Sequence, residues 1–327
     1  MPDLRAQAGL LIKGVAAKAS EVFDEQGELA QIVVPSFFKV RTDDAAQYNV
    51  TGLSGPGVLS KRTEQGSYDS GRRYKTYDTN FIHTTYSKEL EVSMEQMQDR
   101  DFDSVWDEIK QLRKAADYWR QSAVFQAFNG AFVTTSATNG VDLTRYGDGV
   151  ALCSTAHPRA DGGASQSNAS STGIPLNEAN LETAIIALKK QLLDDGTPIR
   201  DLGRMTLVVP TELEKTAKII LQSTQRSNTA NNDINIYKDG MYDLVATHLL
   251  SSTTGRAGGS TGSNTAWFLV AENLSKLMLV DRLAPTLTTE KAEHGGMKFK
   301  VDTRLSVGHA HWLGVYGSKG DNTSYSG

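Results

Sequence analysis

Residues 297–318 read MKFKVDTRLSVGHAHWLGVYGS. From Met297 to Val315 the odd positions are Met, Phe, Val, Thr, Leu, Val, His, His, Leu and Val, and the even positions to Ser306 are Lys, Lys, Asp, Arg and Ser. A period of two places alternate side chains on opposite faces of a strand, so the pattern predicts one very long strand over 297–315 with a single buried face. A slip by one residue would expose the whole apolar set, which fixes the register.

A strand of that length needs partners, and the strongest neighbouring signal is helical. Phe102, Val105, Trp106, Ile109, Leu112, Ala116, Trp119 and Ala123 recur at three- and four-residue steps, the stripe of an amphipathic helix over 102–128. Asp99 or Asp101 is placed to cap its start, and Asn129-Gly130 to end it. At 1.5 Å per residue it is a rod of about 40 Å. A second amphipathic pattern runs over 3–23 through Leu4, Ala8, Leu11, Ile12, Val15, Ala19, Val22 and Phe23, with Pro35 beyond it. It suits either a helix packed on its own body or an arm that packs on a neighbour.

Residues 52–92 read as a long extended hairpin. GLSGPGVLSKRTEQGSY is rich in glycine and polar residues, and the Tyr/Thr-rich SGRRYKTYDTNFIHTTYSKELEVS follows, a composition that favours strands. Tyr74, Thr76, Asp78 and Asn80 would share one face and Tyr77, Thr79 and Phe81 the other, with the turn at Asp69-Ser70-Gly71. The segment has few strong apolar residues, so it is expected to project and to find a partner. Between the long helix and the terminal strand lies a mixed region. It has a helix capped by Asn177, a strand at 205–210, a helix over 211–222, strands at 243–250 and 266–271, and Gly/Ser-rich loops at 161–173 and 251–265. The fold class expected is α+β.

Composition narrows function. The 327 residues are 39% hydrophobic and 22% charged, with a formal net charge of −4, which is ordinary globular usage and not that of a protein that grips nucleic acid by charge. One cysteine, Cys153, permits no internal disulfide and no CxxC zinc site. No stretch resembles a signal peptide or a membrane span, so a soluble protein made in a reducing cytoplasm is expected. On that ground the Asn-X-Ser/Thr triplets at Asn49, Asn168 and Asn322 are read as chance matches.

Catalytic patterns are weak. There is no phosphate loop, no GxGxxG and no HExxH. Cys153, His157 and Asp161 lie close together in sequence, but a thiol nucleophile and its base normally come from distant segments, so a loop held by local hydrogen bonds is the preferred reading. His309 and His311 share the apolar phase of the terminal strand. A metal would need a third ligand from elsewhere, and satisfied, partly buried histidines are preferred. Asp194-Asp195, before Gly196 and Pro198, reads as turn chemistry. Lys61, Arg62, Arg72, Arg73 and Lys75 make the hairpin basic: a solvated face, an inter-subunit salt-bridge surface or, less favoured, a DNA contact. No catalytic residue, metal or cofactor is expected.

The order of elements, and the stretches ALCSTAHP (151–158), TLVVPTELEKTAKIIL (206–221), NTANNDIN (228–235) and KFKVDTRLSVGHAHWLGVYGS (298–318), resemble the tailed-bacteriophage major capsid proteins of the Hong Kong-phage type, in particular the Mu-like head subunits. Cys153, where an aromatic is usual, and Ala156, where a hydroxyl residue is usual, depart from that pattern. The resemblance implies an N-arm at 1–48, an extended E-loop at 49–92, and a P-domain from the spine helix (93–134) and strands (271–318). It further implies an A-domain at 135–270 and a C-terminal tail at 319–327. It also implies a shell of hexamers and pentamers around the dsDNA genome, with the basic E-loop over an adjacent subunit, a separate scaffolding protein and a portal as partners, and no membrane; whether a decoration protein binds stays open. The setting would be the virion capsid, assembled in the host bacterial cytoplasm. Covalent cross-linking through Lys61 or Lys75 is not expected. The alternatives are an encapsulin-like compartment shell, a Cys-dependent hydrolase and, disfavoured by the long helix, a tail-tube subunit.

Overall fold

The alternation beginning at Met297 does form a strand, and the other elements are arranged around it. The structure, a computed structural model, describes residues 4–29, 34–55, 57, 59, 61–64, 66–68, 75–93, 95–96, 102–134, 137–138, 140–199, 201–225, 234–238, 240–252, 262–293 and 296–325. In chain order the elements are α1 (Leu4–Leu29), β1 (Phe38–Thr42), β2 (Gln47–Leu53), β3 (Lys75–Ile82), β4 (Thr84–Val92) and the long helix α2 (Phe102–Asn129). Then come β5 (Ala137–Thr138), β6 (Val141–Thr144), α3 (Glu178–Lys190), β7 (Met205–Pro210), α4 (Glu214–Gln222) and β8 (Tyr242–Thr247). The last four are β9 (Trp267–Ala271), β10 (Leu277–Lys291), β11 (Met297–His309) and β12 (Val315–Ser318). This is the expected α+β class.

β11 is the centre of the larger sheet, ordered β1-β10-β11-β6-β5, with β4 also pairing along β11. β10 runs antiparallel to β11 from Leu277↔His309 to Lys291↔Met297, and β4 lies antiparallel on its other side from Met297↔Val92 to Leu305↔Thr84. One face of β11 is buried as read: Met297, Phe299, Val301, Leu305 and Val307. α1 and α2 cover the start of that face, where Val15, Ala19, Val22 and Phe23 meet Val105, Ile109, Leu112 and Phe299 in one cluster. The described part of α1 therefore packs on its own chain, which is the first of the two readings of that segment.

The terminal strand is shorter than its alternation suggests. It ends at His309, and after a turn the chain enters a second sheet as β12, paired with β9. The turn contains Gly314 at φ +79°, a conformation that favours glycine, and a Leu313 N–H that donates to His311 Nδ1 at 3.1 Å. Both faces of β11 become buried from Leu305 onward, because the root of the β2–β3 ribbon covers the second face. There Phe81 packs with Met278, Val280 and Ala310, and Ser306 Oγ meets His83 Nδ1 at 3.0 Å.

The second sheet, β12-β9-β7-β8, joins β7 to β8 in parallel through α4. α3 and α4 bury Leu181, Ile185, Leu188, Ala217 and Leu221 against Leu207, Val209, Trp267 and Leu269. Asn177 caps α3 as expected, accepting from the Asn180 N–H at 2.8 Å. The opposite face contributes Val208, Phe268 and Val270 to the largest core, shared with Phe125 and Phe128 of α2 and with Leu279 and Val307 of the larger sheet.

Candidate assembly surfaces

The hairpin is a two-stranded ribbon, β2 against β3, with pairs from Gln47↔Ile82 to Leu53↔Lys75. The stretch after it, β4, pairs with β11 instead of continuing the ribbon, so the hairpin is shorter than the 52–92 reading. A register shift between Thr51 and Leu53 falls at Gly52, where a Cβ would overlap Thr76 Oγ1. The bulge changes the phase of β3. Thr79 and Phe81 are buried and Asp78 and Asn80 exposed, as the alternation indicates, but Thr76 is turned inward. At the root, Phe81 is fully buried and Tyr77 meets Tyr146 edge-on at 5.5 Å. Farther out, Leu53, Leu59 and Tyr68 are exposed.

Of the five basic hairpin residues, three lie among the described residues. Lys61 is exposed. Arg62 donates from Nε to the Gly66 carbonyl at 2.7 Å and stacks over the Tyr68 ring at 4.3 Å. Lys75 pairs with Asp78. Arg72, Arg73 and the Asp69-Ser70-Gly71 turn lie outside the described residues, as do the Asp99 and Asp101 caps and most of 228–235 and 251–265.

The ribbon is held from a direction that sequence reading did not anticipate. Asp195, in the loop after α3, takes Thr197 N–H at 3.0 Å and Thr197 Oγ1–H at 2.6 Å, and it also accepts from the Gly57 N–H. Burial disfavours its ionised form, but these hydrogen bonds outweigh that and hold its carboxyl below the usual carboxylate range. Asp194 meets His311 Nε2 at 3.2 Å and Tyr146 Oη at 3.5 Å. The acidic pair thus does turn work, as read, and ties the turn to two other segments.

Beside the long helix is a cleft of about 460 Å³, lined by Leu112, Ala115 and Trp119 of α2, Tyr86 of β4 and Val301 of β11. A second hollow of about 330 Å³ continues it past Glu108 and Glu89. Among the described residues β4 pairs only with β11, so its outer edge borders this groove.

The three candidates for chemistry resolve structurally. Cys153 is fully buried, and burial pushes its thiol well above the ordinary range, the opposite of what a thiolate nucleophile needs. His157 stacks on Trp312 at 4.3 Å and is engaged elsewhere, with Nδ1 at 2.8 Å from Asp148 and Nε2 at 3.1 Å from Asn168 Oδ1. Asn168 also accepts from the Ser154 N–H and donates to the Leu152 carbonyl, so 151–168 is the locally bonded loop that the sequence suggested. Asp161 pairs with Arg159. His309 and His311 do not share a strand face, since His311 lies in the turn. His309 is buried, and burial first, then Arg145 and the neighbouring histidines, hold its pKa well below the ordinary value. Its Nε2 has no hydrogen-bond partner, so the expectation of satisfied histidines fails there. Among the described residues no group of three His, Cys, Asp or Glu is placed to hold a metal, and no helix is long and apolar enough to cross a membrane.

Residues 76–317, most of this framework, match a family model described as phage capsid protein. The chain belongs to the phage capsid protein family. Its fold is shared with the capsid of the native GTA particle (10% identity, TM-score 0.54, covering 88% of this chain and 91% of that one). It is shared also with Mycobacterium phage Patience (13%, 0.52, 99% and 90%) and the bacteriophage JBD30 capsid (14%, 0.51, 68% and 93%). No curated protein matches the sequence. By its family this is a phage capsid protein, and its fold is that of the phage capsid and GTA particle structures just named. The encapsulin alternative has less behind it, because the family matched is the phage one.

Proposed function

We propose that this capsid protein assembles as hexamers and pentamers into the head enclosing a dsDNA genome, within the Mu-like branch of the family, and that it has no catalytic activity. The observation that carries this reading is the division of the hairpin. Phe81 anchors its root in the body, while Leu53, Leu59 and Tyr68 are left exposed farther out. Apolar side chains at a projecting tip have a use when another copy covers them.

In this reading residues 49–92 are the E-loop, 1–48 the N-arm, 93–134 and 271–318 the P-domain, 135–270 the A-domain and 319–327 the tail, with Lys61, Arg62, Arg72, Arg73 and Lys75 facing a neighbour. Head-to-tail contacts of this kind close into rings, and modest contacts sum through multivalency. The net charge of −4 suits a lining from which packaged DNA is released, since phosphate affinity scales with basic contacts. A scaffolding protein and a portal belong to the same proposal, as does assembly in the host cytoplasm.

The test is to replace residues 58–72 by a short Gly-Ser turn and image the purified protein by negative stain beside the unaltered chain. The expected result is shells from the unaltered chain and a folded, soluble subunit without shells from the variant. Normal shells from the variant would overturn the role of the hairpin.

A further inference from the structure

β1 is an edge strand of the larger sheet, and one of the faces it shares with β10 is basic. Lys39 and Arg41 lie opposite Met278 and Val280 of β10, so these four side chains point to one side of the sheet, the side on which Phe81 packs. Lys276, two residues before Met278, falls on that side as well, and its side chain reaches that of Lys39. Arg282 and Arg304 stand at the far end of the row, beside the buried His83. Residues two apart on a strand are about 6.6 Å apart, so the row from Lys276 to Arg282 runs for about 20 Å.

Among the described residues none of these five cations has an ion pair. On the same face of β11, by contrast, Lys298 is bridged to Glu89 at 3.0 Å and Lys300 to Glu290. The acids nearest the basic row are engaged elsewhere. Asp281 pairs with Arg120 of α2 on the opposite face, and Asp43 accepts the Ala45 N–H at 3.2 Å. Burial first, then Lys276 and Arg41, hold the Lys39 ammonium below its ordinary value. Two lysines in contact with no carboxylate between them repel each other, and an anion placed between them removes that cost. A single carboxylate would answer only the lysine pair. A row about 20 Å long suits a linear polyanion.

We propose that this edge of the larger sheet binds the phosphate backbone of the enclosed duplex DNA, with Lys39 and Lys276 sharing one phosphate and Arg41, Arg282 and Arg304 serving those beyond it. The proposal rests on the shell-building reading and adds to it the face that lines the interior. The rest of the chain carries more acid than base, since the net charge is −4. The contact is therefore local, independent of sequence and weakened by salt.

The test titrates the unassembled chain against a short fluorescein-labelled duplex of mixed sequence at low salt and follows anisotropy. The double variant Lys39→Gln with Lys276→Gln should bind about tenfold more weakly and with a flatter salt dependence, because fewer counterions are released. Lys189→Gln with Lys190→Gln makes the same change of charge at exposed positions at the end of α3, and it should leave binding nearly unchanged. Equal losses in the two doubles would reduce the effect to overall charge and overturn the site, as would an unaltered chain that binds no duplex. Lys39→Arg with Lys276→Arg keeps the charges and should keep the affinity. Loss of binding there would overturn the electrostatic basis. Inorganic phosphate should displace the duplex no better than chloride at equal ionic strength, and full displacement by phosphate would mean a site for one free anion. Should the Gln double lose shells while duplex affinity stays intact, the row is a contact between copies and the proposal falls. Shells from an unaltered chain that binds no duplex would sink this proposal alone, whereas an unaltered chain that forms no shells would sink the reading beneath it.

Discussion

Asp195 lies so close to Gly55 that a Cβ at position 55 would overlap its Oδ2, and the same carboxylate accepts the Gly57 N–H. A turn after α3 thus grips the backbone of the hairpin about 140 residues earlier in the chain. Asp195→Ala removes the grip and Gly55→Val obstructs it. Both should leave the melting temperature nearly unchanged, because no large apolar surface is lost, while cleavage within 56–74 by a trace protease becomes several-fold faster. Equal cleavage rates in variant and unaltered chain would show that the contact does not restrain the hairpin.

The same contact depends on pH in a defined direction. The folded Asp195 carboxyl is held below its ordinary value, so its contribution is complete above the ordinary carboxylate range. It is lost as pH falls through the depressed folded value. Cleavage within the hairpin should therefore accelerate on acidification in the unaltered chain, and Asp195→Asn should flatten that dependence. A profile that is the same in both would place the sensitivity elsewhere.

Phe81 is the apolar anchor of the ribbon root, fully buried against Met278, Val280 and Ala310. Phe81→Ala should cost about 3–5 kcal/mol, the range for emptying a buried aromatic site, measured as a shift in the urea midpoint. A loss under about 1 kcal/mol would mean that the ribbon root folds apart from the body.

How much of this was legible in the sequence differs by element. The long helix and the 205–210 strand were readable because each buries one continuous pattern against a local layer. The 15-residue β10 was not read as a strand. Its apolar first half, the Pro285 interruption and the polar second half resemble three unrelated pieces, and two bulges, at Asp281/Leu283 and Leu283/Thr286, break its period. The end of β11 was overread because His311, Leu313 and Val315 keep the odd phase by coincidence after the chain has left the strand at His309 and turned into another sheet. The groove and the Asp195 contact join segments far apart in sequence, and no local pattern encodes them. The isolation of Cys153 from His157 is likewise a matter of three-dimensional partners. Native chain should accordingly resist thiol reagents until denatured.

Gly308 tests the packing of the central strand. It pairs with Thr144 of β6 in parallel register, and a Cβ there would collide with the Thr144 carbonyl oxygen. Backbone cannot move aside as the end of a side chain can, so Gly308→Ala should destabilise by about 2–4 kcal/mol, the upper range for single substitutions. A variant with an unchanged thermal midpoint would show that β6 is not seated on β11.

Tyr325 ties the last described residues across two layers. Its hydroxyl lies 2.7 Å from the Cys153 carbonyl and 3.2 Å from that of Phe132, at the end of α2, and burial first, then the nearby Cys153, push its pKa up to about 12. The strand-like contacts of the same stretch, Asn322 N–H to the Gly173 carbonyl at 2.7 Å and Tyr325 N–H to that of Ser171 at 2.7 Å, pin it to the 171–173 loop. Lys319 lies over the Tyr325 ring at 4.5 Å. The stretch therefore works as a strap joining the second-sheet loops to the end of the long helix. Tyr325→Phe keeps the ring and removes only the donor, so it should cost about 1–2 kcal/mol through the buried carbonyl left without its partner. Tyr325→Ala should cost more and raise hydrogen exchange at 171–173 together with that at 130–133. If exchange rises in one of those segments alone, the strap does not couple them.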